Sequence, residues 1–376
     1  MNKSKKYIYL ASPHMSDEKY EQQYVEEAFR QNWITAAGEN VQQFENELTD
    51  YIKEGNITAV SSGTAALHLA TILSGVDEGD LVFCQSATFI ASVNPAVYQK
   101  ARIVFIDSEP ETWNMSPKAL EKAIKIYGIP RAVVLVHLYG IPAKIDEICH
   151  ICEKYNITLI EDAAEALGSE YHGHKCGTFG QFGALSFNGN KIITTSSGGA
   201  LISKKAEDAE HALKLAKQAR EPFPWYEHVE TGYNYRLSNI CAGIGRGQLK
   251  VLDKRIQQKT HIFNMYKEKL QNLPLTFMPS PKGTISNHWL SVALLDLGTK
   301  VSVNEIIDRL KEENIESRNF WKPMQMQPLF RECPFVKTEE KAVSEDLFER
   351  GICLPSDTKM TDEDIDRICK VIESMW

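Results

Sequence analysis

Between about residues 54 and 205, short apolar runs alternate with stretches whose apolar residues recur every three or four positions. Continuous apolar runs of a few residues read as buried strands, and the three-to-four spacing reads as helix. Residues 58–60 predict a strand that runs into Ser61-Ser62-Gly63-Thr64, after which Ala66, Leu69, Ala70 and Leu73 fall at helical spacing. Residues 102–106, 132–137 and 158–160 predict further strands, with 142–155 as the helix joining the last two. Residues 185–187 and 200–203 fit an antiparallel pair across a polar turn. Such alternation is the pattern of an α/β layer. Residues 239 to about 273 predict one long helix, or two, with Gly243, Gly245 and Gly247 marking close packing or a break. Beyond Pro274 the pattern changes. A strand at 289–295, a helix at 303–313, a loop with Trp321 and Pro323, and a helix at 362–375 predict a smaller α+β unit. The division falls near residue 250: a large unit over 1–250 and a small one over 251–376.

Length agrees with that division, because 376 residues exceed what one compact core organises. The composition, 43% hydrophobic and 24% charged, is that of an ordinary globular chain. A net charge of −8 argues against nucleic acid or an anionic membrane as the main partner. An anionic substrate then needs a local basic patch. No apolar run approaches the roughly 20 residues that span a bilayer. The start, Met1-Asn2-Lys3-Ser4-Lys5-Lys6-Tyr7, is basic but lacks a following apolar stretch of signal-peptide length. The eight cysteines are scattered among apolar neighbours, as free thiols in a reducing compartment are. Together these features predict a cytoplasmic protein. Cys149-His150-Ile151-Cys152 has no second ligand pair nearby, so half-buried helical thiols are expected and no metal.

Candidate chemistry concentrates at strand ends. Ser62-Gly63-Thr64 is a strand-to-helix turn with Thr64 as the expected cap, and such a helix start can bind phosphate. Asp162, in Glu161-Asp162-Ala163-Ala164-Glu165, ends a nearly unbroken apolar run. It lies where open α/β sheets bind ligands, and a buried carboxylate there should face a cation. The competing reading is an aspartate capping a helix over 163–167. Lys191 follows Ser186-Phe187-Asn188-Gly189-Asn190, between an apolar strand and a glycine-containing turn. An amine and a carboxylate so placed match the needs of pyridoxal phosphate. The lysine can form an imine with the cofactor aldehyde, and the aspartate can hold the proton on the pyridine nitrogen. Glu165 could reach the same ring, Ser186 could donate to the phosphate, and Phe89 could stack on the pyridine face, although a core aromatic is the commoner fate.

Together and in this order, these segments resemble the sugar-nucleotide aminotransferases of the DegT/DnrJ type, over nearly the whole chain. Residues 61–69 resemble that family's phosphate loop, 161–168 its pyridine-binding motif, and 186–191 its lysine motif. Gly232-Tyr233-Asn234-Tyr235-Arg236-Leu237-Ser238 resembles its dimer-crossing segment, and Ile315-Glu316-Ser317-Arg318 with Trp321-Lys322-Pro323-Met324 its substrate side. The resemblance implies the type I aminotransferase fold, a large α/β domain with a mixed, mostly parallel sheet and a smaller C-terminal α+β domain. It implies that Lys191 carries the cofactor and that Asp162 pairs with the pyridine nitrogen. Glu165 would sit by the phenolic oxygen and Phe89 against the ring. Gly63, Thr64 and Ser186 would hold the phosphate. Asn234 would reach the phosphate of a second subunit, making a homodimer with shared sites. A lysine at 191, where some members carry histidine and act as dehydratases, favours transamination.

Within the family the similarity points to amination at C4 of a nucleotide-linked 4-keto-6-deoxy sugar, with glutamate as donor. The run Asn188-Gly189-Asn190-Lys191-Ile192-Ile193-Thr194-Thr195-Ser196 is similar to enzymes acting on UDP-4-keto-6-deoxy-N-acetylglucosamine. Perosamine synthases, acting on a GDP-linked sugar, share much of it. Asn319, where proline is usual, and Gln325, where histidine is usual, depart from that branch. Arg318 and Lys322, with Trp321 between them, could form the local basic patch for a nucleotide diphosphate. Asn287-His288-Trp289 is a further sugar-side candidate, with His288 at its centre, and residues 33–38 are an early loop placed to close over the sugar.

Overall fold

The computed structural model describes residues 6–376; residues 1–5 of the basic start lie outside the described residues. Eight strands form one mixed sheet in the order Asn56–Val60, Gly199–Ser203, Phe182–Ser186, Thr158–Asp162, Ala132–Val136, Leu81–Gln85, Arg102–Ile106, Phe335–Val336. All neighbours run parallel except Gly199–Ser203, which is antiparallel to both of its own. The inner strands are mostly apolar because both faces are covered. In Ala132–Val136, Val133 and Leu135 enter one hydrophobic core while Val134 enters the other. Period-two alternation into two apolar layers is what helices on both faces of a parallel sheet demand.

The expected strands are present, with small shifts of boundary, and Leu81–Gln85 is an additional central strand. The joining helix starts at Ile145, three residues later than expected, and residues 239–273 form two helices, Asn239–Leu249 and Leu252–Lys269. The glycines mark close packing. A Cβ on Gly247 would lie 2.4 Å from the Glu21 backbone nitrogen, so the helix Tyr20–Arg30 rests directly on the helix Asn239–Leu249.

The later part of the chain forms a four-stranded antiparallel sheet, ordered Leu275–Phe277, Ser291–Leu295, Gly351–Leu354, Arg318–Asn319. Helices Val303–Glu312 and Asp362–Glu373 pack on it around Ile306, Leu310, Ile365 and Ile368. Each begins with a reciprocal capping box, Ser302 with Glu305 and Thr361 with Asp364, which satisfies two otherwise orphaned N–H groups.

We propose a division of the chain near residue 250, with two exchanges across it. Phe335–Val336 returns to the edge of the large sheet beside Arg102–Ile106. In the other direction the first described segment straps onto the later unit. Ile8 bridges Ile315, Leu10 N–H donates to Glu316 Oε2 at 3.0 Å, Ser356 N–H donates to the Leu10 carbonyl at 2.7 Å, and Ser12 donates to Asp357.

Candidate functional site

A cavity of about 300 Å³ opens at the carboxyl ends of the parallel strands, with Gly63, Thr64, Asp162, Ser186 and Lys191 in its wall. This is the expected place for a ligand in an open α/β sheet. The helix Gly63–Leu73 begins there, and its cap is Ser62, not Thr64. Ser62 is extended, and its hydroxyl accepts from Ala65 N–H at 3.0 Å. Gly63 and Thr64 therefore occupy the first helical turn, whose N–H groups have no carbonyl behind them. A Cβ on Gly63 would lie 2.9 Å from Ser186 Cβ, so glycine lets the helix start press against the end of the neighbouring strand. Exposed first-turn donors, the helix dipole and the Ser186 hydroxyl together make a cradle suited to a phosphate.

Asp162 ends its strand and is buried. No helix follows it; residues 163–168 are turns. Its Oδ2 accepts from Ser92 Oγ at 2.6 Å and its Oδ1 from Ala164 N–H at 3.1 Å. Both donors are neutral, so neither bond supplies the carboxylate with a cation, and a cationic ring nitrogen in the cavity would be a good partner. Ser92, itself bonded to Thr88 at 2.6 Å, was not found by reading the sequence.

Lys191 follows a turn in which its N–H donates to the Asn188 carbonyl at 3.0 Å. Its ammonium lies 3.7 Å from Glu165 Oε1 and 4.0 Å from the ring centre of Trp289. Glu165 is buried. Its Oε2 accepts from Tyr139 N–H at 2.7 Å and its Oε1 from Trp321 Nε1–H at 3.2 Å. Burial pushes the Glu165 carboxyl above its ordinary range, while Lys191 and the Tyr139 N–H pull it back. Tyr139 adopts a left-handed backbone (φ 54°), which aims its N–H at the carboxylate. Its phenol ring lies parallel to the Trp321 indole, at 6.4 Å between centres. The site thus offers a lysine side chain, two buried carboxylates, an anion cradle and aromatic walls.

The other expected residues fall into two groups. Phe89, Arg318 and Trp321 line the cavity, with Phe89 half exposed and 5.3 Å from Trp321. Arg318 is exposed and paired with Glu316 at 2.9 Å. Lys322, His288 and Asn234 are not brought to the cavity of this chain. His288 is buried with its ring 4.3 Å from Phe263, and burial pushes its pKa down to about 4. Asn234 is exposed on the segment between Tyr233 and Tyr235, which stack at 4.9 Å. Cys149 and Cys152 lie on the helix Ile145–Tyr155, and burial pushes both thiols up to about 12. Among the described residues no group of three His, Cys, Asp or Glu side chains converges as a metal site. No helix among them is long and apolar enough to cross a membrane.

Fold and similarity together define a pyridoxal phosphate-dependent sugar aminotransferase. The chain belongs to the DegT/DnrJ/EryC1/StrS aminotransferase family, whose model matches residues 15–373. It is 52% identical over 373 residues to EpsN of Bacillus subtilis (strain 168), covering 98% of this chain and 95% of EpsN, whose name assigns it provisionally as a pyridoxal phosphate-dependent aminotransferase. It is 36% identical over 371 residues, 99% of each chain, to the GDP-perosamine synthase of Escherichia coli O157:H7. Among solved structures, the aminotransferase TlmJ of Streptoalloteichus hindustanus superposes with a TM-score of 0.88 at 26% identity, covering 98% of each chain.

Proposed function

We propose that this enzyme moves an amino group from glutamate to C4 of a nucleotide-linked 4-keto-6-deoxy sugar, with UDP-4-keto-6-deoxy-N-acetylglucosamine as first choice. The observation that carries the reading is Lys191 Nζ poised between Glu165 and the Trp289 face, in one cavity with Asp162 and the Gly63 helix start.

When bound, pyridoxal phosphate supplies an aldehyde that joins amines and a ring that accepts an electron pair. The chain's own residues do the rest. Gly63 and Thr64 N–H groups and the Ser186 hydroxyl would hold the phosphate. Asp162, fixed by Ser92, would hold a proton on the ring nitrogen. Glu165, tied to Tyr139 and Trp321, would serve the phenolic oxygen, and Phe89 would cover the ring. Lys191 would hold the cofactor, and its amine, when free, would be the general base and acid that moves a proton at the donor Cα. Arg318 and Trp321, both in the cavity wall, form the sugar-nucleotide side. Arg318 exchanges its Glu316 partner for phosphate. Asn234 serves the phosphate of a second subunit, so the working unit is a homodimer with shared sites. The reaction is cytoplasmic, where nucleotide sugars and glutamate are present together.

A GDP-linked 4-keto-6-deoxymannose is the second reading, favoured by the identity to GDP-perosamine synthase along the full chain. A single-turnover assay tests the class. Glutamate alone should release one equivalent of 2-oxoglutarate per site and bleach the visible cofactor band. A panel of UDP-, GDP- and dTDP-linked 4-keto sugars then tests the substrate, with products read by mass and NMR. Borohydride fixation that labels a side chain other than Lys191 would overturn the assignment.

A further inference from the structure

Behind the Lys191 turn lies another lysine, which is buried. Lys259, on the helix Leu252–Lys269, is 3% exposed. Its Nζ donates to the carbonyls of Trp289 and Ser356, both at 2.8 Å. The charged groups that act on it are Asp357 and Arg255. Asp357 spends its oxygens on Ser12 and on Lys359 N–H, and Arg255 holds the His14 and Met15 carbonyls. A buried amine without a bonded carboxylate is destabilising, whereas methionine would fill the same space without that penalty. Burial accordingly pushes its pKa down to about 7. Local packing does not account for a lysine here; its two carbonyl partners do.

Trp289 is the partner that matters. Its indole face lies under Lys191 Nζ at 4.0 Å, and its Nε1–H holds the Asn190 carbonyl at 2.7 Å, one residue before Lys191. Its backbone N–H is bound by Asn287 Oδ1 at 2.9 Å, and Asn287 Nδ2 reaches the carbonyls of Glu165 and Leu167 at 3.0 Å. His288, just before it, has a left-handed backbone (φ 48°), uncommon for a residue with a side chain. A strained backbone holds its place only when its surroundings over-determine it. Asn287 fixes one end of this short segment and Lys259 the other.

We propose that Lys259 is a positioning residue for Lys191: by clamping the Trp289 carbonyl to that of Ser356, it keeps the indole beneath the reactive amine and its N–H on the Asn190 carbonyl. The proposal rests on the reading that Lys191 carries the cofactor. It assigns Lys259 no contact with substrate.

The test uses full-length enzyme loaded with pyridoxal phosphate, comparing wild type, Lys259→Met, Lys259→Arg, Trp289→Phe and the Lys259→Met/Trp289→Phe double variant. The readouts are the visible absorption and circular dichroism of the bound cofactor, the pH midpoint of its band, thermal stability, and kcat and KM for glutamate. Lys259→Met should shift the band midpoint by about half a unit or more and lower kcat about tenfold with KM nearly unchanged, the split expected when geometry rather than ground-state binding is lost. Lys259→Arg, which can still donate to both carbonyls, should recover most of the signal. The double variant should be no worse than Trp289→Phe alone, because both act through one side chain. A folded, loaded Lys259→Met enzyme with wild-type spectrum and midpoint overturns the proposal, even if its melting temperature falls. Full additivity in the double variant overturns it as well. If Lys259→Met does not fold, Lys259→Gln, which keeps a single donor group, is read against the same criteria. A wild-type protein that takes up no cofactor instead refutes the reading of Lys191, a distinguishable result.

Discussion

Glu161→Gln tests how the strand that carries Asp162 is held. Successive strand residues point to opposite faces, so Glu161 turns away from the cavity into the core beneath it. Its carboxylate accepts four hydrogen bonds. Oε1 takes Phe179 N–H at 2.7 Å and Gly180 N–H at 2.6 Å; Oε2 takes Gly177 N–H at 2.9 Å and His137 Nε2 at 2.8 Å. His137 Nδ1 accepts from Ala143 N–H at 3.2 Å, which places the imidazole proton on Nε2. Glutamine preserves the shape but turns one oxygen into a donor, so two buried N–H donors face another donor whichever way the amide points. If His137 switches tautomer to recover one bond, Ala143 N–H loses its own. Two lost bonds to a charged acceptor at about 1.5–3 kcal/mol each give a loss of about 3–6 kcal/mol. For a chain of this length that corresponds to a fall in melting temperature of about 4–8 °C. Scanning calorimetry of loaded enzyme measures it, with the cofactor band as a check on the site. A melting temperature within about 1 °C of wild type would refute the hydrogen-bond argument. Loss of the cofactor band at unchanged stability would show that Glu161 acts on the site and not on the scaffold.

Three further outcomes follow from particular contacts. Gly247→Ala places a Cβ 2.4 Å from the Glu21 nitrogen and 2.7 Å from its Cα; overpacking should destabilise the protein by about 1–3 kcal/mol, with the earliest loss of hydrogen-exchange protection in the helix Tyr20–Arg30. Ser92→Ala removes the 2.6 Å bond to Asp162, and cofactor retention on dialysis should fall about tenfold, as loss of roughly 1.4 kcal/mol requires; unchanged retention would refute a role for Ser92 in holding Asp162. Lys259 has a folded pKa of about 7, below the unfolded lysine value near 10.4. Below pH 7 both states bind the proton and the burial penalty is complete; between pH 7 and 10 only the unfolded state binds it, so stability rises with pH. Relative to Lys259→Met, wild type should therefore gain a few kcal/mol between pH 6 and 10 in urea titrations, and a flat difference would refute the burial argument.

The strands around the site were legible because each is a short run in which nearly every residue is apolar, as in Ala132–Val136. Leu81–Gln85 carries the same signal up to a polar last residue and was passed over. The helix Glu39–Ile52 was also passed over, although Val41, Phe44, Leu48 and Ile52 mark its buried face at helical spacing. Tyr20–Arg30 was less visible, because only Glu21 and Ala28 are buried in it. At the site, Gly63, Asp162, Ser186 and Lys191 announced themselves by standing at strand ends. Ser92 did not, since nothing near it in sequence says that its hydroxyl meets a carboxylate seventy residues on. Adjacency in sequence did not bring His288 and Lys322 into the cavity wall. Each neighbours a tryptophan in the cavity wall, but consecutive residues in irregular backbone need not share a side, and neither ring nor amine reaches the cavity.

The strap formed by Ile8, Leu10 and Ser12 bears on when the protein becomes competent during its own synthesis. This segment leaves the ribosome well before its partners: Leu10 precedes Glu316 by 306 residues and Ser12 precedes Asp357 by 345. Trp289, whose indole lies under Lys191 Nζ, is likewise tied to Ser356 through Lys259. A nascent chain can thus assemble most of its large sheet early, but the cavity beside Lys191 is braced only once Ser356 and Asp357 have emerged.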